Sequence, residues 1–127
     1  MERLKLRYSD TIKAMETLKE ILDEPFSVIV RDATIQRFEY TFEALWKFLK
    51  EYLKEREGIV CNSPKSCFRE FFLLERITEE ATVGFLEMAD DRNMTSHTYK
   101  EEVSKILYEK MQNHYLLMEK LMDTISV

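Results

Sequence analysis

Apolar residues recur along this chain at alternating steps of three and four, the spacing that lines them along one face of a helix. In the first segment, about Glu2 to Asp23, these are Leu4, Tyr8, Ile12, Met15, Leu18 and Leu22. Pro25 stops it, because the residue before a proline is pushed out of the helical region. The second segment, about Val28 to Glu57, carries Ile35, Phe38, Phe42, Leu45, Leu49 and Tyr52 in an unbroken stripe. Ala33, Tyr40, Ala44, Trp46 and Phe48 add apolar bulk on its other faces. A helix apolar on more than one side is central in its bundle or shared with a second protomer. Gly58 marks its end.

Three shorter readings complete the chain. Ser63-Pro64, a capping hydroxyl followed by proline at the first helical position, opens a third helix through Phe68, Phe71, Phe72 and Leu74 to about Ile77. Thr78 caps a fourth, Glu79 to about Arg92. Thr98-Tyr99-Lys100-Glu101 has the form of a capping box and opens the fifth, with Val103, Ile106, Leu107, Met111, Leu117, Met118, Leu121 and Ile125 on its apolar face. Long helices with short joins predict an all-α, up-and-down four-helix bundle with an additional helix. At 127 residues the whole chain, 1–127, forms one helical domain.

Composition narrows the function classes. Two glycines and two prolines among abundant Leu, Glu, Lys and Met leave little material for strands. A net charge of −5 argues against a general nucleic-acid coat protein but leaves room for a local basic site. No apolar run approaches the roughly 20 residues that cross a bilayer. The amphipathic start Met1-Glu2-Arg3-Leu4-Lys5 does not read as a signal peptide, so the expected location is the cytoplasm. Cys61 and Cys67 lack zinc-site spacing and are expected as two reduced thiols, a disulfide across the helix start being the alternative.

Two polar stretches carry candidate chemistry. Asp91-Arg92-Asn93-Met94-Thr95-Ser96-His97-Thr98-Tyr99 falls at the break between the fourth and fifth helices. A guanidinium there can grip phosphate, an imidazole can move a proton near neutrality, and the next helix's N-terminus favours an anion. The same residues also suit plain helix capping. The second stretch surrounds the stripe of the longest helix with Arg31, Asp32, Gln36, Arg37, Glu39, Tyr40 and Glu43. Glu39 and Glu43 lie one turn apart, as carboxylates of helical metal sites do, but no Glu-x-x-His companion exists, so charge pairs are expected and no metal. Arg31, Asp32, Gln36, Arg37 and Trp46 are candidates to line a groove for a base or a partner. His114, alone among apolar positions of the last helix, reads as a packing residue.

Taken together, the segment Arg31 to Lys47 and the segment Asp91 to Tyr99 resemble the nucleotidyltransferase substrate-binding protein family of the HEPN superfamily. The likeness extends over nearly the whole chain. It implies a HEPN-like homodimer and a physical partner, a minimal nucleotidyltransferase encoded alongside. It assigns Arg92 and His97 to an Arg-x4-6-His motif, with Asn93 as the polar residue after the arginine. In active HEPN ribonucleases two such motifs face each other across the dimer and cleave RNA without a metal or other cofactor. The same likeness makes Tyr99 the hydroxyl to which the partner transfers AMP, silencing a toxin. The family name implies the alternative, a non-enzymatic subunit that binds nucleotide or another substrate for the nucleotidyltransferase. The chain carries no nucleotidyltransferase motif of its own, so an enzymatic role would be that of an endoribonuclease.

Overall fold

The computed structural model describes residues 2–127 as five α-helices. These are α1 (Glu2–Leu22), α2 (Val28–Tyr52), α3 (Pro64–Leu73), α4 (Glu79–Met94) and α5 (Glu101–Asp123). A π-helical turn, Leu53–Glu57, prolongs α2, and a 3-10 turn, Thr95–His97, follows α4. The π turn is closed by Gly58 at φ 68°, a left-handed conformation that glycine adopts without steric cost.

Local chemistry sets the helix starts. The Ser27 hydroxyl accepts the Val30 N–H at the head of α2, and Thr78 accepts the Ala81 N–H at the head of α4. Ser63 and Ser66 form a reciprocal capping box around Pro64. Two expectations fail. The third helix ends at Leu73 and not near Ile77, because the chain turns sharply through Glu75 at φ 59°. The capping box expected at Thr98 does not form: α5 starts at Glu101, the Thr98 hydroxyl turns back to the Thr95 carbonyl at 3.3 Å, and Glu101 pairs with Arg31. Arg31 is 5% exposed. A buried guanidinium without a counter-charge costs far more than an unmade cap, so the carboxylate goes to the arginine.

α1 and α2 form an antiparallel pair, joined side to side by the Thr11 hydroxyl on the Ala44 carbonyl and the Thr41 hydroxyl on the Ala14 carbonyl. α4 and α5 form a second antiparallel pair. α5 lies along α2, where His114 stacks on Phe38, and α3 fills the remaining side as the additional helix. The predicted α2 stripe is buried throughout, from Ile35 to Tyr52, and Phe48 is buried with it. Aromatic rings bind the layers: Phe68 of α3 stacks on Phe85 of α4 with centroids 4.6 Å apart and meets Phe42 of α2 at 6.1 Å. Ile106, expected on the apolar face of the last helix, is exposed, as is Phe72 of α3. No described helix is long and apolar enough to cross a membrane.

The cysteines correct another expectation. Cys61 and Cys67 are joined as a disulfide, both buried, with Cα atoms 5.3 Å apart. The Ser63-Pro64 turn folds the chain back so that Cys67, one turn into α3, comes to rest over Cys61. The bridge pins the link between α2 and α3 to the helix it precedes. A loop this short supplies about 2 kcal/mol by restricting the unfolded chain. Urea unfolding with and without a thiol reductant should therefore differ by about 2 kcal/mol, and the Cys61→Ser/Cys67→Ser double variant should match the reduced protein.

Candidate functional site

The last turn of α4 and the 3-10 turn after it put the candidate residues on one end of the bundle. α4 runs past Arg92 to Met94, so Arg92 and Asn93 are helical while His97 and Tyr99 sit in the join to α5. Asn93, His97 and Tyr99 are exposed, Tyr99 at 77%. The His97 and Tyr99 rings meet edge-on with centroids 6.2 Å apart, and the Lys100 ammonium lies 5.9 Å from the Tyr99 ring. The structure thus leaves an imidazole and a phenol side by side at the surface.

Arg92 is held differently. Its Nε donates to Glu43 at 3.1 Å, and its Nη1 lies 3.4 Å from Glu39 and 3.3 Å from the Thr95 hydroxyl. The Thr95 oxygen stands 2.8 Å from Glu39, closing a ring of contacts between α2 and the end of α4. Glu39 and Glu43 are therefore charge partners of the arginine, as their one-turn spacing on α2 allows. With Nε and Nη1 occupied, Nη2 donates no hydrogen bond among the described residues. An anion reaching Arg92 would add to, or displace, two carboxylates already in place.

The groove candidates separate into three places. Asp32 and Gln36 line a polar cavity of about 390 Å³ together with Glu39, Thr95, Thr98 and Tyr99. Arg31, at the head of α2, is buried between Asp32 and Glu101, whose hydrogen bond, with that of Asp32, outweighs burial and raises its pKa. Trp46 donates its indole N–H to Glu43 at 3.0 Å, which puts it behind the Arg92 ion pair. Arg37 points the other way and donates to the Thr17 carbonyl of α1 at 2.7 Å. Arg31, Arg37 and Trp46 consequently do not share one groove. A smaller cavity of about 230 Å³ on the other flank of Arg92 is lined by Asn93, Lys65 and the Ser63-Pro64 turn, among others.

One polar pair escaped the sequence reading. Asp91, 6% exposed, accepts from His114 Nε2 at 2.7 Å and from Lys110 Nζ at 3.1 Å, both on α5. His114 is 4% exposed and occupies the stripe position between Met111 and Met118. A signal was present: a polar ring at a core position needs a buried partner. Burial alone would raise the Asp91 pKa, but the hydrogen bonds from His114 and Lys110 prevail and hold it below the usual carboxylate range. Among the described residues, no cluster of three or more His, Cys, Asp or Glu is placed to hold a metal ion.

Known proteins give this geometry a context. A sequence profile described as "Nucleotidyltransferase substrate binding protein like" matches residues 6–126. The chain belongs to this family. The match runs from within α1 to beyond the end of α5 and takes in both polar stretches. A crystal structure of a Thermus thermophilus protein is 41% identical and superposes with a TM-score of 0.85, covering 89% of this chain and 96% of that one. A structure of a tri-AMPylated Shewanella oneidensis HEPN toxin in complex with MNT antitoxin superposes with a TM-score of 0.76 over 95% of this chain and 94% of that one. At 15% identity this second likeness is one of fold. No curated protein matches the chain.

The Asp91 cluster generates a pH dependence. A carboxylate whose pKa is lowered on folding stabilises the native state above its unfolded pKa, and that stability is lost as the pH falls through the folded value. Asp91→Ala should cost about 2–3 kcal/mol at pH 7 in urea unfolding, the worth of a hydrogen bond to a charged group. The gap between variant and parent should begin to narrow below about pH 4, where the unfolded chain's carboxylate takes up its proton, and should keep closing until the pH passes the lower folded value.

Proposed function

We propose that this protein is the HEPN-type component of a two-gene module: a metal-independent ribonuclease toxin silenced by a partner nucleotidyltransferase. The observation that carries the reading is the grouping of Arg92, Asn93, His97 and Tyr99 at one exposed end of the bundle, where a second molecule can reach them. The structurally similar Shewanella oneidensis protein, an AMPylated HEPN toxin with an MNT antitoxin, points the same way.

RNA cleavage without a metal needs a base for the 2′-OH proton, an acid for the leaving 5′-oxygen and positive charge at the phosphorus. The 2′-oxygen bonds to phosphorus as the bond to the 5′-oxygen breaks. One His97 takes the first proton and a second supplies the other. Since each chain brings one His97, the complete site requires a homodimer, with the two Arg92 guanidinium groups on the phosphorane oxygens. Silencing follows from Tyr99: its hydroxyl oxygen bonds to the α-phosphorus of a nucleoside triphosphate and pyrophosphate departs. An adenylate beside His97 then blocks the site by volume and negative charge.

A second reading has its own support. Arg92 is engaged by Glu39 and Glu43 of its own chain, which suits a subunit that binds substrate for a nucleotidyltransferase without cutting RNA. Expression with and without the neighbouring nucleotidyltransferase separates the two. Growth arrest only in its absence, with the mass of an adenylate added at Tyr99 in its presence, supports the toxin; no arrest supports the subunit. On the toxin reading, His97→Ala lowers RNA cleavage by about 10²–10⁴-fold and relieves arrest. Undiminished cleavage would sink it, as would a monomer in place of a species of twice 15.3 kDa by analytical ultracentrifugation.

A further inference from the structure

The seam between α4 and α5 changes character along its length. From Phe85 to Ala89 it is apolar: Phe85, Met88 and Ala89 of α4 are buried against the core. Beyond Ala89 the buried residues at this end are polar, Asp91 and then Thr95, while Asn93 and Met94 face outward. Apolar packing therefore does not hold the last turn of α4. Two polar tethers in different directions hold it instead: Asp91 to His114 and Lys110 on α5, and Arg92 with Thr95 to Glu39 and Glu43 on α2. Asp91 and Arg92 are consecutive, so about 100° of helical rotation separates them. Fixing the first against α5 sets the direction in which the second leaves the helix.

We infer that Asp91 and His114 are positioning residues for Arg92. The bond from His114 Nε2 to the Asp91 carboxylate locks the rotation of the last α4 turn and so presents the guanidinium over Glu39 and Glu43, with Nη2 free for an incoming anion. His114 is itself fixed from behind, its ring stacked on Phe38 of α2 at 5.4 Å between centroids. Lys110 adds a second hold on Asp91 and also lies 3.5 Å from Glu87, one turn earlier on α4. A packed aromatic of α2 thus backs the histidine that orients a residue whose side chain returns to α2. The inference rests on the proposed use of Arg92 for its catalytic consequence, and its geometric claim stands apart from that use.

Resonance and kinetics test the two separately. In the full-length protein, the ¹⁵N-edited signal of the Arg92 Nε–H, held by Glu43, reports the guanidinium directly and is assigned with Arg92→Ala. His114→Leu keeps bulk and removes the hydrogen bond; His114→Gln places an amide N–H where Nε2 lies. The expected result is a shifted or exchange-broadened Arg92 signal in His114→Leu and a parent-like one in His114→Gln. In cleavage, kcat should fall about 10–100-fold in His114→Leu at nearly constant KM and recover in His114→Gln. An unchanged Arg92 signal in folded His114→Leu overturns the inference, as does failure of His114→Gln to restore it. Should His114→Leu not fold, Asp91→Asn, which gives up the charge-assisted bonds to Lys110 and His114, serves in its place, and an unchanged Arg92 signal is again fatal. If Arg92→Ala leaves cleavage intact, or the parent cuts no RNA, the ribonuclease reading fails and the resonance alone decides this one.

Discussion

The burial of α2 on several sides at once is the constraint on which the other elements depend. Its apolar residues from Ile35 to Tyr52 meet α1 on one side, α5 on another, and the Phe42–Phe68–Phe85 ring series on a third. Several of the charges that α2 carries beside its neighbours are paired. Arg31 is met by Glu101, Arg37 by a carbonyl of α1, Glu43 by Trp46 and Arg92. The pairings of Arg31 with Glu101, Arg37 with α1 and Glu43 with Arg92 tie neighbouring elements to α2 at fixed heights. Apolar packing brings the helices together, and these polar contacts set their register.

The candidate site is a consequence of that arrangement. The end of α4 lies over α2 because Met88 and Phe85 pack into the core one and two turns earlier. Arg92 then falls opposite Glu39 and Glu43, two residues that α2 presents on one face. The join that follows has no apolar anchor comparable to theirs, so His97 and Tyr99 remain at the surface. Rigid support on one side and open surface on the other is the arrangement a site for a second macromolecule requires.

Periodicity revealed what depends on local spacing. The α2 stripe, the proline and glycine breaks, and the Ser63 and Thr78 caps were all readable, since each rests on residues within a turn or two. What the sequence hid depended on distant partners. Thr98 and Glu101 satisfy the local pattern of a capping box, but a buried arginine seventy positions earlier claims the glutamate. Cys61 and Cys67 look unpaired until the serine-proline turn reverses the chain between them. His114 was read as packing, and it does pack; its bond to Asp91 becomes visible only when α4 is laid against α5. Gln36 and Asp32 come together with Tyr99 for the same reason, across the gap between α2 and the α4–α5 join.

Tyr99 stands outside the load path of the fold. Its side chain is mostly in water, and the helices on either side of it are held by Arg31, Asp91 and the aromatic core. A substituent on its hydroxyl would neither displace a buried group nor leave a cavity when removed. The packing of the bundle therefore does not depend on that oxygen, and a group attached to it would leave the helices in place.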